Sequence, residues 1–222
     1  MTESTQEAAP DAAARGWLAD WRRRVAELYT EVRARAATDP PGAWELWRAE
    51  REALYRGHPQ SPVPAAGRDA FRASYWPYDD RLRATVAVEP APPAPTGLAM
   101  APLVLPNSGA ESPAFDRVGS VRLPLPGGEV DLPLFWMRGY TGGLFLPLGD
   151  ATNGVETYGA GRYLLDGAKS ADLGGDPAAG TLVVDANFAF QPSCAFDPQW
   201  ACPLAPPESR VSVRIEAGER LR

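Results

Sequence analysis

The chain has 222 residues, 45% of them hydrophobic and 23% charged, enough for one sizeable core in an ordinary globular composition. Its net charge of -6 argues against a nucleic-acid partner, whose phosphates Lys and Arg would have to neutralise, and no run of about eighteen apolar residues exists to cross a membrane as a helix. Two cysteines are too few for a disulfide scaffold, and a single histidine, His58, excludes a multi-histidine metal site.

The opening stretch MTESTQEAAPDAAARG lacks the basic start and apolar core of a secretory signal, so residues 1–15 are expected to be a disordered leader on a cytoplasmic protein. From Gly16 to about Ala37, Trp17, Trp21, Val25, Leu28 and Val32 recur at helical spacing, with Arg22, Arg23, Arg24 and Glu27 mostly opposite. Asp39 followed by Pro40 and Pro41 breaks this helix and starts a second, which carries Trp44, Trp47 and Leu54 to about Arg56. The tryptophan spacing is that of a buried face, so these rings are read as core anchors rather than a ligand-stacking box.

After Gly57 the helical period ends. HPQSPVP, with three prolines, is an extended or turning segment, a helical turn is expected near Asp69–Ala73, and YWPYDD follows as an aromatic loop. Short runs rich in Val, Leu and aromatics then lie near Ala84–Val88, Leu98–Leu105, Phe115–Leu123, Val130–Trp136, Leu144–Leu148, Glu156–Leu165, Thr181–Phe190 and Val211–Glu216. Turn signals at PGGE, RGYTGG and LGGDP separate several of them, while EPAPPAPTG from Glu89 to Gly97 reads as a loop. The expected class is α+β and mainly β, an antiparallel β-barrel or sandwich with two or three N-terminal helices packed against it. The helical segment over 16–57 and the β-rich domain over 58–222 form one globular unit.

The densest chemistry lies in LFLPLGDATNGVETYGAGRYLLD. Asp150, Thr152, Asn153 and Gly154 suit a tight connection, and Gly159 and Gly161 share one face if the run is a regular strand. Glycine inside a strand marks a bend or the close approach of a backbone or ligand. Arg162, flanked by Tyr158 and Tyr163, has the geometry to grip a carboxylate with two parallel hydrogen bonds. That carboxylate is either on a ligand or on Asp150, Glu156 or Asp185 of the chain itself. Lys169 is the only lysine.

The strings HPQSP, YWPYDD, LFLPLGDATNGVETYGAGRYL and CPLAPPESR…IEAGE, in this order, resemble the bacterial domain-of-unknown-function 1684 family from about Trp47 to Glu219. The family pattern carries the His-Pro-x-Ser-Pro segment and both cysteines, here His58, Pro59, Ser61, Pro62, Cys194 and Cys202. It differs at Gln191 and Ser209, where the family has Asn, and at Ala186, where it has an aromatic. The resemblance implies bacterial origin, a β-rich domain and no assigned activity.

Cys194 and Cys202 stand eight apart, a spacing open to packed thiols, a disulfide or two metal ligands, and a Cys194–His58 nucleophilic pair would depend on the fold. His58 is the best candidate general acid or base, although capping or bridging the helix-to-sheet junction is the commoner role for such a histidine, and Ser61 beside it lacks a nucleophile elbow. The string GAG at Gly159 is not a dinucleotide fingerprint and no P-loop exists, so neither cofactor nor metal is expected. Two readings stand. In the first, the chain binds a polar or anionic small molecule, or acts on it without a cofactor. Tyr158, Arg162, Tyr163, Asn187 and Ser61 bind, and His58 and Asp150 carry any catalysis. In the second, the same polar residues form a buried network in a non-catalytic domain whose Trp-rich helices dock a partner or a second copy of the chain.

Overall fold

The computed structural model describes residues 12–93, 102–109 and 113–221. Two helices lead: α1 (Ala12–Ala36) and α2 (Pro40–Gly57). Asp39 caps α2 by accepting from the Gly42 N–H at 2.9 Å, and the prolines at its start have no N–H to leave unsatisfied. α1 begins inside the segment expected to be leader, and residues 1–11 of that segment lie outside the described residues.

Among the described residues ten strands follow, β1 (Ser74–Tyr75), β2 (Arg83–Pro90), β3 (Leu103–Val104), β4 (Ala114–Leu125), β5 (Gly128–Met137), β6 (Leu144–Leu148), β7 (Arg162–Asp166), β8 (Gly175–Asp176), β9 (Thr181–Asp185) and β10 (Glu219–Arg220). Eight of them make an antiparallel sheet in the order β7-β6-β5-β4-β2-β9-β8 with β3 on β4, while β1 and β10 pair as a separate ribbon. The class is α+β, mainly β, with the sheet curled into a half-barrel.

Both faces of the curled sheet are apolar, which is why alternation along β7 is lost and all five of its residues are buried. One face carries Phe115, Phe135, Phe145 and Tyr163 against Leu28, Val32, Trp44 and Trp47 of the helices. The other carries Val121, Leu123, Leu132, Leu146 and Leu148 and closes on Ile215 and Ala217 of the C-terminal segment. Trp47 is 1% exposed and donates from its indole nitrogen to the Tyr29 hydroxyl at 3.1 Å. Trp17 departs from the expected anchor role. α1 buries only residues of its last three turns, and Trp17 in its second turn stays 47% exposed.

Several expected strands are shorter, for identifiable reasons. The run expected from Thr181 to Phe190 stops at Asp185, whose side chain accepts from the Asn187 N–H at 3.0 Å and starts a 3-10 turn over Ala186–Phe188. Val211–Glu216 is no strand. It is held by single hydrogen bonds to the Gly149–Ala151 segment. Of Leu98–Leu105 only Leu103–Val104 is strand, and residues 98–101 lie outside the described residues. The helical turn expected at Asp69–Ala73 forms instead as a 3-10 turn at Ala65–Gly67.

Glu156–Leu165 is strand only from Arg162, because residues 150–157 fold back on themselves. The Thr152 carbonyl accepts from the Glu156 and Thr157 N–H groups at 2.9 and 3.1 Å, and the two threonine hydroxyls meet at 2.9 Å. Gly161 ends this turn at φ +103°, and a Cβ there would sit 2.7 Å from the Leu148 carbonyl oxygen and 2.8 Å from the Ala205 methyl. The glycines therefore serve a turn and a backbone contact, not a regular strand face.

Candidate functional site

Arg162, at the first position of β7, is 0% exposed, and its guanidinium is bound by the chain itself. Nη2 donates to Asp150 Oδ2 at 2.7 Å and to the Ile215 carbonyl at 2.9 Å, while Nη1 donates to the carbonyls of Ala217 and Glu219. The Trp76 ring lies 5.4 Å from the guanidinium carbon. Nε has no partner among the described residues. Burial pulls the Arg162 pKa down, against the opposing pull of Asp150. The other Asp150 oxygen accepts from the Thr152 and Ile215 N–H groups, so this carboxylate is also committed. Of the expected carboxylate partners, Asp150 is the one that pairs. Glu156 binds Arg214 and Asp185 binds Arg83.

The remaining expected site residues are dispersed. Tyr163, 1% exposed, donates its hydroxyl to the Pro203 carbonyl and packs edge-on against Phe145 and Phe190. Asn187 donates to Asp185 at 2.7 Å and to the Asp79 carbonyl at 2.9 Å and accepts from the Asp79 N–H, which ties the aromatic loop to the end of β9. Burial raises the Asp185 pKa against the pull of Asn187 and Arg83. His58 terminates α2 by donating its N–H to the Leu54 carbonyl at 3.0 Å. Its Nδ1 accepts from the Gln60 N–H at 3.0 Å, which leaves Nε2 to donate to Asp20 of α1 at 3.2 Å. Asp20 is held below the usual carboxylate range, first by His58 and then by Arg24. Ser61, 3% exposed, donates to the Tyr55 carbonyl at 2.5 Å and accepts from the Val63 N–H. Both ring nitrogens of His58 and the Ser61 hydroxyl are thus occupied by structural partners.

His58 does shape a cleft, however. Its ring meets Trp21 edge-on at 5.3 Å and its bond to Asp20 docks α1, the wall of a cavity of about 160 Å³. Trp21, Arg22, Gln60, Lys169, Trp200 and Cys202 line it. A deeper recess of about 60 Å³ shares Trp21, Lys169 and Ser193 and reaches Arg51 and Tyr163. Trp200 is fixed by donating to the Pro62 carbonyl at 3.3 Å, and Lys169 faces Asp166 at 3.5 Å. Arg22 has no ion-pair partner among the described residues. A larger cavity, about 410 Å³, opens beside the β4–β5 hairpin. Its cations are neutralised locally, Arg81 by Asp79 and Arg214 by Glu216, and it reads as a solvated charged groove.

Tyr158 stands apart from Arg162. Burial, followed by the neighbouring Cys194, pushes its pKa up to about 12. Cys194 and Cys202 are both free and buried. The neighbouring Cys202, then Ser108 and Tyr158, pull the Cys194 thiol down to about 6 against burial, while Cys194 and burial push Cys202 up. Sequence reasoning missed the cleft residues Trp21, Arg22, Lys169 and Trp200 as a group, because they come from α1, the turn after β7 and the segment before Cys202. Only the isolation of Lys169 as the sole lysine marked any of them.

Residues 70–220 match the profile of a family described as "Protein of unknown function (DUF1684)". The match starts after the His58–Pro62 segment. Among solved structures, the chain is similar to the solution NMR structure of the uncharacterized protein from gene locus rrnAC0354 of Haloarcula marismortui. The two are 28% identical with a TM-score of 0.55, over 78% of this chain and 90% of that one. No curated protein matches the chain. Among the described residues no helix is long and apolar enough to cross a membrane.

Proposed function

The chain belongs to the DUF1684 family, whose description assigns no activity, and from its own geometry we propose that it is a small-molecule-binding protein whose ligand seats in the cleft between α1 and the Ser193–Cys202 segment. The observation that carries this reading is the make-up of the cleft, with the indoles of Trp21 and Trp200 among its walls and the cations of Arg22 and Lys169 beside them. Indoles bury apolar surface at low entropy cost, and a cation pair suits a carboxylate or phosphate. At about 160 Å³ the seat is smaller than the roughly 300 Å³ of a drug-sized site, so its ligand is of the size of a single ring or a short acyl chain bearing one anionic group. Arg162 and Asp150 then act through the scaffold, and His58 through the placement of α1. Binding rather than turnover is proposed, because His58, Asp150 and Ser61 are all engaged elsewhere. The half-barrel is read as an incomplete β-barrel, open between β7 and β8, and the free thiols suit the reducing cytoplasm.

Benzoate, short-chain carboxylates and inorganic phosphate test the seat by thermal shift. At least one of them should raise the unfolding midpoint of the parent and leave that of Lys169→Gln and Trp200→Ala unmoved. If none moves the parent, the seat is wrong. A second reading, a non-catalytic interaction domain, has its own observation in the pairing of Arg162 with Asp150 inside the chain and in the 47%-exposed Trp17. Failure of every probe, with an oligomeric state that changes in Trp17→Ala, would favour it.

A further inference from the structure

The cleft proposed as the ligand seat does not end at Lys169. Trp21, Lys169 and Ser193 line both the cleft and the recess of about 60 Å³ behind it, so the two volumes adjoin along these three residues. The recess is walled by Tyr29, Tyr55, Phe190 and Arg51 among others. Its tyrosine hydroxyls are largely committed. That of Tyr29 accepts from the Trp47 indole N–H at 3.1 Å, and that of Tyr163 donates to the Pro203 carbonyl. Arg51 is different. Its Nη2 donates to Glu219 Oε2 at 3.0 Å and to the Gln191 carbonyl at 3.4 Å, its Nε is fully buried without a partner, and its Nη1 makes no hydrogen bond among the described residues. The guanidinium is held in place by stacking as well, its carbon 4.4 Å from the centre of the Tyr55 ring and 4.8 Å from that of Phe190. A guanidinium fixed in this way, with N–H groups to spare, is a preorganised donor.

Charge decides what that donor takes. Glu219, its side chain 2% exposed, already balances Arg51, and Asp166 faces Lys169 at 3.5 Å. Of the cations along the cleft and the recess, only Arg22 lacks an ion-pair partner among the described residues. One negative charge on the ligand meets that excess, and a second one beside Glu219 would find no unpaired cation. We infer that the recess is a second subsite of the seat, in which Arg51 Nη1 donates to a neutral oxygen, a carbonyl or a hydroxyl, at the far end of a small monoanionic acid. This subsite presupposes the proposed seat and narrows its ligand to the hydroxyaromatic and oxo acids. The anionic group stays at Lys169 and Arg22, the ring or chain runs past Trp21 and Ser193, and its last few atoms enter the recess, whose volume admits no more.

Titration calorimetry on the full-length protein compares para-hydroxybenzoate with benzoate and levulinate with valerate. In at least one pair the oxygenated acid should bind about tenfold tighter, the gain expected of one hydrogen bond to a charged donor. Arg51→Lys keeps a cation for Glu219 but lacks the guanidinium fork, and there the preference should vanish. Should that variant fail to fold, intermolecular NOEs in the parent decide. The ring protons beside the hydroxyl of para-hydroxybenzoate should reach the methyl of Ala171, which lines the recess at 4% exposure, and those beside its carboxylate should not. Equal binding within both pairs, a preference that survives Arg51→Lys, or a hydroxyl end that contacts Trp200 and not Ala171 would each overturn the subsite while the seat stands. Binding of none of the four acids would overturn the seat and the subsite together.

Discussion

Replacing Arg162 by methionine tests whether the arginine is scaffold or ligand anchor. The substitution keeps much of the apolar volume but removes the guanidinium from a site where both it and the Asp150 side chain are 0% exposed. Leaving one partner of a buried ion pair alone costs about 3–5 kcal/mol. The carbonyls of Ile215, Ala217 and Glu219 lose their donor as well, at about 1 kcal/mol each where no water replaces it. The expected loss is therefore about 6–8 kcal/mol, comparable to the whole net stability of roughly 5–15 kcal/mol typical of a folded domain. Urea unfolding followed by the fluorescence of the seven tryptophans reads it as a fall in midpoint at unchanged slope. The double variant Arg162→Met with Asp150→Asn removes the stranded charge and should recover about 2 kcal/mol of the loss. A single variant within about 1 kcal/mol of the parent, or a double variant no better than the single, would refute the scaffold role. A single variant of normal stability that had lost a ligand-induced thermal shift would return Arg162 to the binding site.

Gly161→Ala forces a side chain onto φ +103° and against the Leu148 carbonyl, and it should lower stability by about 2 kcal/mol or more. Gly159→Ala, whose nearest neighbour would be 3.7 Å away, should stay within about 0.5 kcal/mol, and the pair is compared by urea midpoint. Tyr158→Phe removes a phenol that helps hold the Cys194 pKa down, so the pH midpoint of iodoacetamide alkylation at Cys194 should move upward from about 6. Trp47→Ala opens a cavity in a site 1% exposed and should cost about 3–5 kcal/mol in the same unfolding assay. His58→Ala should loosen α1 more than α2, seen as faster hydrogen exchange around Asp20 with the Trp47 region unchanged.

What local chemistry dictates was legible without coordinates. Asp39-Pro40-Pro41 specifies a helix start whatever surrounds it, and apolar periodicity placed the helical faces of Trp44 and Trp47. Leu144–Leu148 was bounded correctly as a strand because glycine turns flank it. Tertiary structure decided the rest. The fate of Arg162 hung on three carbonyls more than fifty positions away, and no local pattern encodes a contact with backbone. The sequence left His58 open between a general acid or base and a cap at the helix-to-sheet junction, since neither the Gln60 N–H nor Asp20 on another helix can be seen to point at it until the chain is folded. Gly161 shows the boundary most clearly. Its residue type announced a special position, but whether a turn, a ligand or a neighbouring backbone required it depended on Leu148 and Ala205, brought there by strand pairing and by the C-terminal segment.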